Sequence, residues 1–192
     1  MRRSDTPHDV AMMSDIRVAR TLFGPPFPLL VAASKNWLAK ERKNVTALFV
    51  MYAEGTFLPA ETAPFSILRE RTHGGSDVYV GQVTAASAGA DAKRFFPANA
   101  AWEDWRARTA VTAAIHPDYQ RMGLATAAVR VFMHDWAVAQ MGATELRAKC
   151  FASNIGSKHG FIEEPLLRGE VAVIEAKGGG VEPDMTLIWH LE

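Results

Sequence analysis

The chain has 192 residues, of which 48% are hydrophobic and 22% charged, and this balance excludes a disordered chain, a collagen-like repeat and a disulfide scaffold. Its 21 basic side chains match 21 acidic ones, so the net charge provides no general attraction to nucleic acid or to an anionic membrane. The single cysteine, Cys150, rules out an intrachain disulfide and a cysteine-built metal site. No apolar stretch approaches the roughly 20 residues that span a bilayer, and polar residues follow Arg2 and Arg3 where a secretory signal would be apolar. We therefore expect a cytoplasmic protein.

The first part of the chain predicts a helix and a strand after an irregular start. Residues 1–20 are polar and are predicted to form a loose lead-in to a single domain over residues 21–192. The three prolines in residues 23–28 exclude a regular helix or a central strand there. Apolar spacing then predicts a helix over Leu29–Lys43, and the run rich in Val, Phe and Tyr over Val45–Ala53 predicts a strand.

The middle of the chain predicts a hairpin and a long excursion. Phe65–Arg69 and Asp77–Ala85 have strand patterns, and the turn residues 73–77 join them into a hairpin. Residues 87–108 contain four aromatic side chains and are predicted to be a long excursion with a helical turn over 102–106.

The second half predicts alternating strands and helix. Strand patterns cover Thr109–Ile115, Thr144–Ala152, Glu170–Ala176 and Met185–Leu191, and helical spacing covers Leu124–Met141. Because strands pair both through hairpins and across helices, we expect an α/β fold. Its sheet should be mixed, mostly antiparallel, with about six to seven strands flanked by helices.

The connection between the strand ending at Ile115 and the helix beginning at Leu124 has the chemistry of an anion site. The first turn of a helix leaves N–H groups without intrahelical partners at the positive end of the helix dipole. Gly123 and Ala125 are small enough to let a phosphate approach the backbone, and Arg121 adds a positive charge. The same residues also fit an ordinary strand–loop–helix connection in which Gly123 serves only the turn.

Two motifs in this half resemble those of a known family. Residues 120–125, Gln-Arg-Met-Gly-Leu-Ala, resemble the Gln/Arg-x-x-Gly-x-Gly/Ala signature of the GNAT acetyltransferase superfamily. Residues 154–161 are similar to the Asn-x-x-Ser…Gly-Phe segment of the branch that contains the ribosomal-protein N-terminal acetyltransferases. The likeness covers residues 109–192, while over 20–108 only the order of elements is compatible. It implies a three-layer GNAT-like fold.

The resemblance implies acetyl-CoA as co-substrate. It assigns the pyrophosphate to the backbone N–H groups of Gln120, Arg121, Met122, Gly123, Leu124, Ala125 and Thr126. It also implies that the strand ending at Ile115 binds the pantetheine arm and that Asn154 contacts that arm. Ser157 would lie near the thioester sulfur as a proton donor to the leaving thiolate. No histidine has metal-ligand spacing, so we expect no metal.

The second motif departs from the family pattern. Only Lys158 and His159 separate Ser157 from Gly160, which is about five residues fewer than this motif usually has. An alternative role for Ser157 is therefore to cap a short helix.

No motif selects the catalytic base. Glu103 is ranked first because it lies between Trp102 and Trp105, just upstream of the strand that ends at Ile115. The other candidates are Asp104, His116 and Glu70.

The predicted function is transfer of an acetyl group from acetyl-CoA to a primary amine by direct attack in a ternary complex. The amine is a protein N-terminus, a lysine or a small molecule, and nucleic acid and membranes are not expected partners. The alternative is a catalytically degenerate acetyl-CoA-binding sensor or partner module. A nucleotide-binding module is a third possibility, which the absence of a Walker lysine–serine pair disfavours. The protein is expected to be a monomer or a homodimer.

Overall fold

The computed structural model describes residues 2–22, 25–55, 65–71, 77–87, 108–139, 143–160, 166–175 and 181–190. The helices are α1 (Thr6–Met13), α2 (Ile16–Ala19), α3 (Val31–Ala53), α4 (Leu124–Val131) and α5 (Ile155–Gly160). The strands are β1 (Phe65–Arg71), β2 (Asp77–Ser87), β3 (Arg108–Ile115), β4 (Glu145–Phe151), β5 (Leu166–Glu175) and β6 (Val181–His190). Short 3-10 turns at Arg3–Asp5 and Pro117–Tyr119 precede α1 and α4, and a π-helical segment, Phe132–Val138, continues α4.

The strands form one mixed sheet. Its order is β1-β2-β3-β4-β6-β5, and every neighbouring pair is antiparallel except β3 and β4, which are parallel. Helix α4 packs on β2 and β3, α1 packs on β2 and α3 packs on β1. The predicted α/β fold, with a mostly antiparallel sheet flanked by helices, is confirmed.

Two apolar clusters occupy the two faces of the sheet. The cluster on the α4 side consists of Val83, Val111, Val129, Phe132, Met133, Ala137, Ala143, Leu146, Ala148, Cys150, Leu187 and Trp189. The cluster on the α1 side consists of Met12, Met13, Val18, Leu22, Leu29, Tyr79 and Ala114. Burial of these side chains is the main source of the fold's stability.

The predicted loose lead-in is wrong, because residues 6–19 form α1 and α2. Met12 and Met13 are buried against the sheet, and the carboxyl group of Asp9 is buried with them. Asp9 is accommodated because it accepts a hydrogen bond from Ser34 of α3. The buried face of α1 therefore includes an aspartate, which is why its sequence reads as polar.

The predicted strand over Val45–Ala53 is also wrong, because α3 continues to Ala53. Leu48 is buried on the same face of α3 as Leu38 and Ser34, so the helical period is kept through this half. The hydroxyl of Thr46 donates to the carbonyl of Arg42 one turn earlier, at 2.9 Å. β-Branched residues cost a helix only tenths of a kcal/mol each, about 0.7 at most, so packing on the sheet outweighs their preference. Despite this length, none of the helices that the structure describes is apolar enough to cross a membrane.

The predicted hairpin is confirmed as β1 and β2, with an irregularity that the sequence does not indicate. The register shifts between Leu68 and Arg69 of β1, which leaves Val80 of β2 as an extra residue. Val83 therefore faces α4, whereas Tyr79 and Gln82 share the opposite face and lie within hydrogen-bond distance of each other.

The strands predicted in the second half are confirmed as β3, β4, β5 and β6, although β5 begins at Leu166 and β6 at Val181, each four residues before its predicted start. The predicted helix over Leu124–Met141 is α4 with its π-helical continuation to Val138. The excursion and its helical turn fall on residues 88–107, outside the described residues.

Candidate active site

The loop after β3 is held against the neighbouring strand. The N–H of His116 donates to the carbonyl of Val80 at 2.8 Å, which extends the pairing of β2 with β3 by one bond. The side-chain amide of Gln120 donates to the carbonyl of Ile115 at 3.1 Å. This bond closes the loop around the turn Pro117–Tyr119 and brings Gln120 back to the end of β3.

Gly81 permits the close approach of β2 to the end of β3. A Cβ at this position would lie 2.4 Å from the carbonyl oxygen of Ala114 and 2.9 Å from a methyl group of Ile115. Sequence reasoning missed this residue, although a lone glycine inside an apolar strand is a signal of close backbone approach. Gly81 therefore lets β2 lie close to the end of β3, where the loop of the candidate site begins.

Gly123 begins α4 in a backbone conformation that suits glycine. Its φ is +75°, and Arg121, two residues earlier, has a φ of +62°. The first intrahelical bond runs from the N–H of Ala127 to the carbonyl of Gly123, at 2.9 Å. The N–H groups of residues 124–126 precede this bond, and no atom lies within 4 Å of the position of a Gly123 Cβ. The structure thus has open space at a helix N-terminus, with the exposed Arg121 beside it, which fits a pyrophosphate.

The two parallel strands separate next to this helix terminus. Pairing between β3 and β4 covers Arg108 with Glu145, Thr109 with Leu146, and Ala110 with Arg147. Within the described residues, the strands are not paired beyond that point, although β3 continues to Ile115 and β4 to Phe151. The opening exposes a strand edge whose backbone groups can bind an extended ligand.

The second motif lies at the same edge of the sheet as the first, because β3 and β4 are parallel and each motif follows its strand. The side-chain oxygen of Asn154 accepts a hydrogen bond from the N–H of Ser157 at 3.0 Å, so Asn154 caps α5. The alternative role of Ser157 as the cap is therefore wrong. The backbone N–H of Ser157 donates the capping hydrogen bond, and its half-buried hydroxyl is not the capping group.

Of the candidate bases, His116 and Glu70 lie among the described residues, and the structure places them at different distances from the opening between β3 and β4. Nδ1 of His116 accepts from the N–H of Asp118 at 3.3 Å, which engages this nitrogen in the turn. Glu70 is exposed on β1, separated from β3 by β2, so it lies away from the opening between β3 and β4. Glu103 and Asp104 lie outside the described residues, and Glu103 stays a prediction.

The mixed sheet, its single parallel pair and the glycine-led helix after β3 define an α/β protein with the acetyltransferase type of fold. The family profile of the acetyltransferase (GNAT) domain matches residues 1–159, and the chain belongs to this family. No curated protein sequence shows significant similarity to the chain.

Solved structures share the fold at low sequence identity. An N-acetyltransferase from Staphylococcus aureus Mu50 has a TM-score of 0.69 at 15% identity, over 100% of this chain and 96% of that one. A protein from Salmonella typhimurium, solved with its cofactor acetyl-CoA, has a TM-score of 0.67 at 11% identity, over 100% of this chain and 91% of that one. A ribosomal-protein-alanine N-acetyltransferase from Brucella melitensis has a TM-score of 0.65 at 14% identity, over 100% and 97%. At these identities the likeness establishes the fold.

Proposed function

We propose that this acetyltransferase moves an acetyl group from acetyl-CoA to a primary amine by direct attack in a ternary complex. The observation that carries the proposal is the opening between β3 and β4, which leads to the N-terminus of α4. The strand edge at the opening suits the extended pantetheine arm, and the N-terminus of α4 suits the two phosphates.

The residues of the site fit acetyl-CoA in the way the family predicts. The pyrophosphate would accept hydrogen bonds from the backbone N–H groups of residues 120–126, with the open space at Gly123 admitting it and Arg121 adding charge. The pantetheine arm would run along the edge of β3 that ends at Ile115. Asn154, which stands after β4, would contact the arm through its amide nitrogen, since its oxygen is bonded to Ser157.

Acetyl-CoA supplies a thioester carbonyl carbon for attack by the amine. A C–N bond forms, the C–S bond breaks, the nitrogen loses a proton and the sulfur gains one. Ser157 is proposed to donate the proton to sulfur, and the cap from Asn154 fixes the start of α5 that carries it. Glu103 is proposed to take the proton from the amine. An α-amino group, with a pKa of about 8, needs this help less than a lysine, with a pKa of about 10.4.

The test is calorimetric titration with acetyl-CoA and CoA of the wild type, Gly123→Glu and Gly55→Glu. Gly55 is the matched control, because its φ is +66° and no atom lies within 4 Å of its Cβ position, as at Gly123, yet it follows α3. We expect binding to the wild type and to Gly55→Glu, and a loss of at least about tenfold in Gly123→Glu, because a carboxylate would repel the phosphates. A wild type that binds neither ligand would overturn the proposal.

A panel of primary amines then separates the enzyme from the binding module. Acetylation of any of them by the wild type supports the proposed transfer. Saturable binding of acetyl-CoA without turnover on the panel would instead favour the degenerate acetyl-CoA-binding module.

A further inference from the structure

Helix α3 presents a group of positive charges to solvent. Four exposed cations occupy its middle, namely Lys35, Lys40, Arg42 and Lys43. Glu41, the acidic residue among them, is half-buried. Within the ranges that the structure describes, none of these four cations forms an ion pair. Because the net charge of the whole chain is zero, this positive charge is a local feature of α3.

The exposed side of α3 has a shallow groove between these charges. It is lined by Ala39, Arg42, Lys43, Thr46 and Ala47, whose spacing along the chain is that of one helical face. The hydroxyl of Thr46 donates to the carbonyl of Arg42, so it is engaged with the backbone of its own helix. The floor of this groove, which we call the α3 groove, therefore consists of small side chains, and its rim is positively charged.

Two apolar side chains extend the α3 groove towards the end of the helix. Phe49 and Val50 are 63% and 49% exposed. They follow Arg42 and Lys43 by about two helical turns, so they lie on the same side of α3 as these cations. The row from Lys35 to Val50 is about 22 Å long. One side of the helix thus has a charged part and an apolar part in line.

This combination fits an acidic helix of another protein better than a lipid or nucleic acid surface. A second helix packs closely where the side chains of the first are small, and its carboxylates would pair with the charged rim. A helix that lies in a membrane interface carries apolar side chains along its length, whereas those of α3 are at one end of the row. A phosphate backbone would contact the cations but not the aliphatic side chain of Val50.

We propose that the α3 groove, together with Phe49 and Val50, is a docking surface for an acidic amphipathic helix of a partner protein. Carboxylates of that helix would lie over Arg42 and Lys43, and one of its apolar side chains would pack on Phe49. Helix α3 packs on β1, which β2 separates from β3, so this surface is distinct from the candidate active site. Docking here therefore does not depend on the proposed acetyl transfer.

The probes are fluorescein-labelled peptides of about 20 residues, which is long enough to form a helix in water. The acidic peptide consists of glutamate, alanine and leucine with the leucines on one helical face. One control peptide has lysine in place of each glutamate, and the other has the acidic composition in scrambled order. Fluorescence anisotropy measures the affinity of each peptide for the protein, and circular dichroism checks that each variant is folded.

The variants change exposed side chains of α3 and are matched by controls elsewhere. Arg42→Glu reverses a rim charge, Ala39→Gln fills the groove without changing charge, and Phe49→Ser removes the apolar end. Arg20→Glu is the control for the charge reversal, because Arg20 is exposed at the end of α2. Leu30→Ser is the control for Phe49→Ser, because Leu30 is 65% exposed and precedes the first turn of α3.

We expect the wild type and both control variants to bind the acidic peptide about tenfold or more tightly than either control peptide, and less tightly as salt is added. Arg42→Glu and Ala39→Gln should each weaken this binding about tenfold, and Phe49→Ser about fivefold. Their affinity for CoA should equal that of the wild type.

A wild type that does not prefer the acidic peptide overturns the inference, as does a preference that survives in Arg42→Glu or in Ala39→Gln. The same samples are tested with vesicles of equal parts phosphatidylserine and phosphatidylcholine, with polyuridine, and for self-association by sedimentation. Tighter binding of vesicles or polyuridine than of the acidic peptide, or self-association that Arg42→Glu abolishes, would assign the surface to a different occupant and likewise overturn the inference.

Discussion

Asp9 is a buried residue whose ionisation affects the stability of the fold. Its carboxylate is fully buried under α3 and accepts hydrogen bonds from Ser34 at 2.5 Å and from Tyr79 at 3.5 Å. Burial raises the pKa of Asp9, and the nearby charge of Asp5 raises it further, while the two hydrogen bonds oppose these effects. The native state therefore holds the Asp9 proton more tightly than the unfolded chain does.

Replacement of Asp9 by asparagine tests whether the pKa of Asp9 is raised in the native state. Because the native pKa is raised, the contribution of Asp9 to stability is fully present below about pH 4 and is lost as pH rises through the native pKa. The asparagine side chain does not ionise. It leaves one of the two hydroxyl donors, Ser34 or Tyr79, poorly paired, at a cost of about 1 kcal/mol. Urea unfolding from pH 4 to 8 should therefore show the wild type losing stability relative to Asp9→Asn as pH rises. A difference that is constant over this range would contradict the raised pKa.

Asp15 should show the opposite pH dependence. It caps α2 and accepts hydrogen bonds from the side chain and backbone of Arg17, which lower the pKa of Asp15 to about 2. The stability it contributes is present above about pH 4 and is lost as pH falls towards 2. In acid titrations of unfolding, Asp15→Asn should remove part of the wild-type decline between pH 4 and 2. Because the side chain is partly exposed, high salt should reduce the difference.

Ser157 is expected to act through its hydroxyl alone. The helix cap uses its backbone N–H, so Ser157→Ala should leave α5 and the affinity for CoA unchanged. Loss of the proton donor should lower kcat by about a hundredfold, measured by release of free thiol from acetyl-CoA with a reactive amine. Asn154→Ala is the contrasting variant, since it removes the cap and should weaken both CoA binding and stability. A Ser157→Ala enzyme with wild-type kcat would exclude the proton-donor role.

At the scale of elements, the approach of β2 to β3 determines where the candidate site begins. Gly81 allows this approach, and the pairing of Gly81 with Ile115 is the last before the loop. The extra residue at Val80 then turns Tyr79 to the face of α1, where it bonds Asp9. One strand thereby supports the N-terminal helices and the loop that leads to α4.

Gly81→Ala should disturb both the stability and the site. The added Cβ would meet the carbonyl of Ala114 at 2.4 Å, so the strands must separate. We expect a loss of about 1–3 kcal/mol in urea unfolding, typical of overpacking, together with weaker binding of CoA by calorimetry. Gly55→Ala is the control: it has open space but a φ of +66°, so it should cost about 1 kcal/mol and leave CoA affinity unchanged. Equal CoA affinities in Gly81→Ala and the wild type would show that Gly81 does not support the CoA site.

Among the elements, prediction from the sequence succeeded where a pattern is decided locally. The strands β3, β4 and β6 and the start of α4 follow from alternation, helical spacing and the glycine before Leu124. The end of α3 could not be predicted in this way. Its valines and aromatic residues have strand preferences, and the burial of Leu48 on the same face as Leu38 and Ser34 favours the helix instead.

At the scale of the whole molecule, the sequence by itself determined the α/β class and the glycine-led helix terminus after Ile115. Both depend on interactions between residues within about four positions of each other, which a motif records directly. It did not determine the docking of α1 through Asp9, the extra residue in β2 or the opening between β3 and β4. Only the tertiary structure decided these features, because each depends on partners that are distant in the chain and on which face of the sheet a side chain occupies.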